Sequence, residues 1–245
     1  MARGVVEQVL YRWPSAAKFG RVVPKTKFYE HSSVSAKARE KFVAEVQRIT
    51  WAYKLADETI HLRGDDAVPE IQVFSIDAKA DDVSDAVLAA IDRAVLFPTV
   101  FELNRHRGDQ EETRMVACYK QLGGPKPKLS PYFSEGWLPA SAYRQPLPSA
   151  LDLSSLFAGL LAPILPIPVR AGERLSETAE RVSQARKLER KIATLERRLS
   201  IEVQFNRKVE LRRELKDRTE TLTALTGSES SHALRSSQKD TQWTS

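Results

Sequence analysis

The middle of the chain alternates between strand-like and helix-like patterns of side chains. Residues 70–79 (EIQVFSIDAK) alternate in character and are dense in β-branched and aromatic residues, which predicts a strand. In residues 81–95 the apolar side chains recur every four residues from Val83 to Ile91, a helical spacing, and residues 98–103 (PTVFEL) return to strand character. A strand, a helix and a strand with short connections form a parallel pair with a right-handed crossover. We therefore expect a small α/β sheet at the centre of the protein.

Other elements are predicted on both sides of this unit. A helix capped by Ser35 has an apolar face that ends at Ile49, and a hairpin returns residues 113–120 (TRMVACYK) antiparallel to the second strand across a charged loop, residues 104–112. A short helix, an extended basic segment and two further strands complete the prediction, at residues 5–11, 21–29, 49–55 and 59–62. Residues 1–122 are thus predicted to form a small mixed sheet with flanking helices.

Proline changes the character of the chain after this domain. Nine of the 13 prolines fall in residues 125–168, which predicts extended chain over residues 123–172 that wraps the sheet, with one short helix at residues 151–161. Four aromatic residues in this segment are expected to pack onto the sheet rather than to bind a ligand, namely Tyr132, Phe133, Trp137 and Tyr143.

Residues 173–226 contain neither glycine nor proline and predict a long helical arm. Four apolar residues from Leu188 to Leu199 are spaced four, three and four apart, as in the seam of a coiled coil, and the register slips at residues 201–205 before it resumes. Such a helix needs a partner for its seam, which is a second copy, its own other half folded back, or another protein. Residues 227–245 are serine-rich and predicted to be disordered.

Charge adds a second interpretation of the arm. The chain has 38 Lys+Arg against 32 Asp+Glu, a net charge of +6, and residues 173–226 supply +4 of it. Interleaved glutamates fit the ion pairs that flank a coiled-coil seam, whereas paired basic residues also fit a row of phosphates. The candidates for nucleic-acid contact are Arg186, Lys187, Arg190, Lys191, Arg197, Arg198, Arg207 and Lys208.

The remaining composition points to a cytoplasmic protein. The single cysteine, Cys118, lies in an apolar run and is predicted to be buried in a reducing compartment. No signal-peptide layout precedes residue 20, and the longest apolar stretch, residues 156–169, is interrupted by three prolines, so no membrane contact is expected. Nucleotide-binding loops, zinc-ligand spacings and nucleophile elbows are missing, so we predict no cofactor and no metal site.

One candidate catalytic constellation remains in the central strand. Asp77 and Lys79 are two residues apart, so a continuous strand would point both side chains to one face. Restriction-type nucleases place an acidic-x-Lys pair on a strand, followed by a helix and a strand, and complete a magnesium site with an upstream carboxylate. That carboxylate would be one of Asp57, Glu58, Asp65, Asp66 and Glu70.

Blocks from Ile49 to Leu222 resemble the bacterial domain-of-unknown-function family 4391. The blocks that carry the resemblance occur in the family's order and read ITWAYKLADETIHL, EIQVFSIDAK, AIDRAVLFPTVFELN, MVACYK and IEVQFNRKVELRRELKDRTETL. In that family the position of Asp77 is often Glu, and Asn often replaces Arg212 or Arg213. The family has no established activity, so the resemblance implies no catalytic residue. Its gene neighbourhoods imply an association with helicases and DNA methyltransferases of defence type.

These observations favour a non-catalytic accessory subunit of a DNA-processing or defence system. It would assemble with itself or with a partner protein through residues 173–226. Two alternatives remain open, a metal-dependent nuclease that uses Asp77, Lys79 and magnesium, and a DNA-binding protein that uses the basic arm.

Overall fold

The computed structural model describes residues 9–31, 34–124 and 126–227. They divide into two compact units, whose boundary lies between Pro166 and Ile167. The strands of the first unit are β1 (Leu10–Tyr11), β2 (Lys18–Val22), β3 (Val46–Leu55), β4 (Ile71–Ala78), β5 (Thr99–Arg107), β6 (Gln110–Ala117), β7 (Lys120–Gln121), β8 (Lys128–Leu129), β9 (Phe133–Ser134), β10 (Leu138–Pro139) and β11 (Arg144–Gln145). Its helices are α1 (Lys25–His31), α2 (Ala36–Glu45), α3 (Asp57–Ile60), α4 (Asp85–Ala94) and α5 (Leu153–Leu161).

Seven strands of the described chain form one mixed sheet. Its order is β10-β6-β5-β4-β3-β2, and β9 also pairs with β6. β4 and β5 run parallel, from Gln72 opposite Thr99 to Asp77 opposite Asn104, with α4 as the connection between them. The other pairs are antiparallel. The predicted strand-helix-strand unit and the hairpin that follows it are therefore confirmed, and the first unit is a mixed α/β structure with flanking helices.

One face of the sheet packs against α1, α2 and α4. α4 buries Val87, Leu88 and Ile91, and α2 contributes Phe42, all at 0% exposure. They join Phe74 of β4 and further strand residues in one hydrophobic core. Because successive strand residues point to opposite faces, Glu102 between Phe101 and Leu103 points away from this core. The opposite face thus carries the polar residues described below.

Two boundaries of the predicted secondary structure were wrong. α2 ends at Glu45, four residues before Ile49, because β3 already pairs with β4 from Val46 onward. The predicted loop at residues 104–112 is mostly strand, since only Gly108 and Asp109 separate β5 from β6. Its charged residues pair across the hairpin instead of marking a loop, as Arg105 Nη2 lies 2.7 Å from Glu112 Oε2.

Three short elements near the N-terminus also differ from the prediction. Within the predicted helix at residues 5–11, residues 5–8 lie outside the described chain, and Leu10–Tyr11 is a strand that pairs with β11. The predicted extended segment at residues 21–29 turns into α1, and the predicted strand at residues 59–62 overlaps α3. Tertiary pairing decides such short stretches, whose local patterns are weak.

The segment after β6 contains only two-residue strands until α5. The helix predicted at residues 151–161 is confirmed as α5, which Asp152 caps by accepting a hydrogen bond from the Ser155 backbone N–H at 2.7 Å. Among the aromatic residues of this segment, Tyr132 and Phe133 are buried and Trp137 packs against the core. Tyr143 is exposed, so the packing prediction was wrong for this residue.

The second unit consists of two helices, α6 (Leu175–Ile201) and α7 (Phe205–Thr226). The helical structure is interrupted at residues 202–204, where the register of the predicted coiled-coil seam slips. The helices are antiparallel, because Arg181 near the start of α6 donates from Nη1 to the carbonyl of Leu225 at the end of α7, at 2.9 Å. α7 contributes no buried residue, so the folded-back pair covers its own seam only in part.

Candidate functional site

A polar cleft lies at the carboxyl ends of the parallel strands β4 and β5. Ligands of α/β sheets commonly bind at this edge. The cleft has a volume of about 360 Å³. Its charged and polar lining residues include Arg48, Asp77, Asn104, His106, Thr113 and Arg144. These side chains come from four adjacent strands, β3 to β6, since Arg48 lies opposite Asp77, Asp77 opposite Asn104, and Asn104 opposite Thr113.

Hydrogen bonds join these cleft residues into one network. Asp77 accepts from Arg48 Nε at 2.7 Å and from Asn104 Nδ2 at 3.1 Å. Asn104 also donates to Ser75 Oγ at 2.8 Å and accepts from Thr113 Oγ1 at 2.9 Å. The Asp77 carboxylate therefore has partners within the protein, while the Arg48 side chain remains 61% exposed. The network positions one half-exposed ion pair at the mouth of the cleft.

Lys79 does not join Asp77 in this cleft. β4 ends at Ala78, and Lys79 Nζ instead donates to the carbonyl of Val43 at 3.0 Å. Lys25 donates to the carbonyls of Phe42 and Val46 nearby, and burial together with the Lys79 charge lowers the pKa of Lys25. Both ammonium groups thus lie at the C-terminal end of α2, where cations are favourable for a helix.

The upstream carboxylates of the nuclease hypothesis lie at the other end of β4. Lys54 Nζ is 3.1 Å from Glu58 and 3.0 Å from Glu70, the residue directly before β4. Asp65 accepts from Ser154 Oγ at 2.6 Å, and this hydrogen bond lowers the pKa of Asp65. Among the described residues, no three His, Cys, Asp or Glu side chains are arranged to hold a metal ion. The nuclease hypothesis and its magnesium site stay a prediction.

A buried acid on the same face of the sheet as the cleft was missed by the sequence reasoning. Glu102 is 7% exposed, and its Oε1 accepts from Trp13 Nε1 at 2.9 Å and from Arg144 Nη1 at 2.6 Å. The same Arg144 nitrogen donates to the carbonyl of Tyr11 at 3.0 Å. These contacts hold β1 and β11 over the sheet beside the cleft. A lone carboxylate within the apolar stretch PTVFEL was the available signal.

A second cluster of buried polar groups joins α4 to β7 and to Cys118, the residue directly after β6. Lys120 Nζ lies 2.7 Å from Asp92 Oδ1, and both side chains are 0% exposed. Asp92 Oδ2 accepts from Tyr132 at 2.5 Å and from the Cys118 thiol at 3.4 Å. Burial and the Asp92 charge raise the pKa values of Cys118 and Tyr132. The predicted buried cysteine is thus confirmed, and its thiol is held in the unreactive protonated form.

Lys120 also fixes the connection between α4 and β5. Its Nζ donates to the carbonyls of Val95 at 3.1 Å and Phe97 at 2.7 Å. Every strong contact of this ammonium group is therefore internal, which makes the cluster a structural one. The signal in the sequence was Asp92 itself, because it follows Leu88 by four residues and precedes Val95 by three, on the apolar stripe of α4.

The basic candidates of the arm lie on α6 and α7. Arg186, Arg190 and Arg197 are spaced four and seven residues apart and so share one face of α6. Glu189 and Glu196 each precede one of these arginines by one residue, which turns them about 100° away. Arg190 Nε donates to the carbonyl of Arg186 at 3.2 Å. The helix therefore separates the charges that alternate in the sequence.

Three exposed apolar residues cluster at the turn between α6 and α7. Ile201 is 75% exposed, Val203 87% and Phe205 75%, and we call these three residues the apolar tip. Exposed apolar side chains grouped in this way mark interaction surfaces more often than single ones do. The signal in the sequence was the register slip at residues 201–205, where apolar residues leave the seam.

Comparison with known proteins identifies the family. The family model described as a domain of unknown function (DUF4391) matches residues 12–222. The chain belongs to the DUF4391 family. No curated protein and no solved structure matches the chain. In the part of the chain that the structure describes, no helix is long and apolar enough to cross a bilayer. The DUF4391 match thus covers both units without supplying an activity.

Proposed function

We propose that this DUF4391 protein is a non-catalytic assembly subunit of a bacterial DNA-processing or defence system. Residues 123–172 wrap the sheet of its α/β domain, and residues 173–226 form a helical arm that docks on a protein partner. The observation that carries the proposal is the apolar tip. Replacing exposed apolar surface by a protein contact releases about 25 cal/mol per Å², so such side chains favour association.

The α/β domain supports the non-catalytic part of this proposal. Asp77 pairs with Arg48, Lys79 binds the end of α2, and Lys120 and Asp92 neutralise each other inside the core. Each of these groups therefore has a structural partner. By contrast, the three side chains of the apolar tip are 75–87% exposed.

Site-specific photocrosslinking in the native cell tests the proposal. A photoreactive amino acid replaces Val203 of the full-length chain, and in a matched control it replaces Leu151, an isolated apolar residue of the first unit that is 94% exposed. We expect position 203 to form a defined protein adduct, either with another copy or with a second protein, and position 151 to form none. Equal, diffuse labelling from both positions would contradict the proposal.

A second candidate function is DNA binding, favoured by the face of α6 that carries Arg186, Arg190 and Arg197. A protein that neutralises Z phosphates loses affinity with salt at a slope of about −0.9Z on a double-logarithmic plot. We expect Arg190→Ala/Arg197→Ala to reduce this slope by roughly 2. Lys18→Ala/Lys128→Ala removes the same charge from the first unit and is the control. Identical slopes for both double variants and the unmodified chain would contradict binding through α6.

A further inference from the structure

We infer that the partner of the apolar tip is a second copy of this chain, related by a two-fold axis. This inference rests on the proposed function, because it names the occupant of the same docking surface. A two-fold interface uses the same patch on both subunits, so the patch must be complementary to itself in shape and in charge. The surface beside the tip meets the charge requirement.

A groove of about 620 Å³ adjoins the tip and carries charges of both signs. Two arginines, Arg198 and Arg207, and three glutamates, Glu202, Glu210 and Glu214, line it. A polyanion such as DNA would meet the glutamates with repulsion, and a purely acidic or purely basic protein would meet like charges in one of the two sets. A second copy offers arginines to the glutamates and glutamates to the arginines. Charge complementarity therefore favours the second copy over a polyanion or a protein of single-sign charge.

The apolar residues of the groove support the same occupant. Ile201 and Val203 of the tip and Leu211 of α7 line it together with the charged residues. Leu211 belongs to the seam, which α6 covers only in part. Two antiparallel helix pairs that meet at this surface form a four-helix arrangement, in which seam residues are buried from both sides. A dimer of this kind would therefore explain both the exposure of the apolar tip and the incomplete burial of α7.

The size of the surface sets the expected affinity. Residues 198–214 offer fewer side chains than the roughly 20–30 residues per partner of a standard interface, so we expect a dissociation constant of about 10 µM. Sedimentation velocity of the full-length chain over about 1–100 µM covers this range. The purified chain alone, without DNA or other proteins, is expected to shift from monomer to dimer across it.

Charge reversal tests the self-complementary pairing. The double variant Arg198→Glu/Arg207→Glu and the double variant Glu210→Arg/Glu214→Arg each place like charges across a two-fold interface. We expect each one alone to dimerise at least about 30-fold more weakly than the unmodified chain. In an equimolar mixture of the two double variants, opposite charges face each other in both halves of the interface. The mixture is expected to form a mixed dimer within about threefold of the original affinity. This rescue also shows that both variants are folded.

Three outcomes would overturn the inference. These are an unmodified chain that stays monomeric to about 100 µM, variants that dimerise as well as the unmodified chain, or a mixture that fails to restore the dimer. If the purified chain is monomeric while Val203 crosslinks to a different protein in cells, self-association fails and the proposed assembly function stands. If position 203 forms no defined protein adduct either, both fail. A monomer that binds DNA through the groove would assign the surface to nucleic acid instead.

Discussion

The two units of this protein contain different kinds of energetically costly groups. The first unit buries a pair of opposite charges, and the second unit exposes three apolar side chains that are close in sequence. The α/β unit encloses two full charges, Lys120 and Asp92, at 0% exposure and 2.7 Å apart. Lys120 also donates to two backbone carbonyls, and Asp92 accepts from Tyr132 and Cys118. The helical unit leaves the three side chains of its apolar tip exposed. The first unit thus pairs this buried ammonium group with this buried carboxylate, whereas the second unit leaves its apolar tip in contact with water.

This difference separates structural residues from interaction residues. Removing one partner of a buried ion pair leaves the other charge unpaired in the core and is strongly destabilising. Removing an exposed apolar side chain changes the stability of the isolated chain very little. Substitutions in the two units are therefore expected to affect different measurements, and the comparison can be tested by the size of each effect on the free energy of unfolding.

The largest effect is expected for Lys120→Met. The substitution leaves Asp92 without its counter-ion and the carbonyls of Val95 and Phe97 without their donor, so we expect the free energy of unfolding to fall by about 3–5 kcal/mol. Urea denaturation followed by tryptophan fluorescence measures it, because Trp13, Trp51 and Trp137 belong to the first unit.

Two controls make this experiment specific. Lys128→Met removes an exposed lysine of the same unit and should change stability by less than about 0.5 kcal/mol. Lys120→Met/Asp92→Leu removes both charges and should recover part of the loss. If Lys120→Met and Lys128→Met unfold at the same urea concentration, the buried pair does not stabilise the unit.

A smaller effect is expected for Glu173→Gln at the base of the helix pair. Glu173 lies 2.6 Å from Arg181, and the two side chains are 11% and 7% exposed. The hydrogen bonds from Arg181 lower the pKa of Glu173 from 4.5 to about 2. We expect the substitution to destabilise α6 and α7 by roughly 2–3 kcal/mol at pH 7. Hydrogen exchange of the α6 and α7 amides measures the loss within the second unit.

The pH dependence of this loss follows from the direction of the shift. Because the pKa is lower in the folded state, the stabilisation is fully present above pH 4.5 and disappears as the pH falls towards 2. The difference between Glu173→Gln and the unmodified chain should therefore shrink over this range. A difference that stays constant from pH 7 to pH 2 would mean that Glu173 acts through packing and not through its charge.

The sequence predicted the elements whose patterns are local. β4, α4 and β5 follow from the alternation at residues 70–79 and the four-residue spacing of Val83, Val87 and Ile91, which a helix converts into one buried stripe. The break between α6 and α7 coincides with the register slip at residues 201–205. Where periodicity decided the structure, the interpretation was close to the observed bounds.

The candidate site could not be predicted in the same way, because its contacts are non-local. Asp77 and Lys79 share one face of an ideal strand, but β4 ends at Ala78, and the carbonyls of α2 determine the position of Lys79. The partners of Glu102 and Asp92 are distant in sequence, so spacing carried no information about them. Only the presence of a charge on an apolar stripe could have indicated these two residues.

A weaker effect is expected for Arg48→Ala in the polar cleft. The Arg48–Asp77 ion pair is short at 2.7 Å, but the two side chains are 61% and 26% exposed, and such pairs contribute at most about 1 kcal/mol. We expect the urea midpoint to shift accordingly and the shift to diminish in about 1 M salt. If Arg48→Ala lowered the free energy of unfolding as much as Lys120→Met, the cleft would be a closed part of the core. The Arg48–Asp77 pair would then not differ from the buried Lys120–Asp92 pair.

The smallest effect on stability is expected for Phe205→Ser at the apolar tip. Because the ring is 75% exposed, its removal should change the free energy of unfolding by less than about 0.5 kcal/mol when the chain is dilute. At concentrations where the chain associates, binding stabilises the folded state by mass action, and Phe205→Ser should then appear destabilising relative to the unmodified chain. Hydrogen exchange of α6 and α7 at about 1 µM and about 100 µM separates the two regimes. A loss that is equally large at both concentrations would mean that Phe205 is buried within a single chain, and the second unit would then be as self-sufficient as the first.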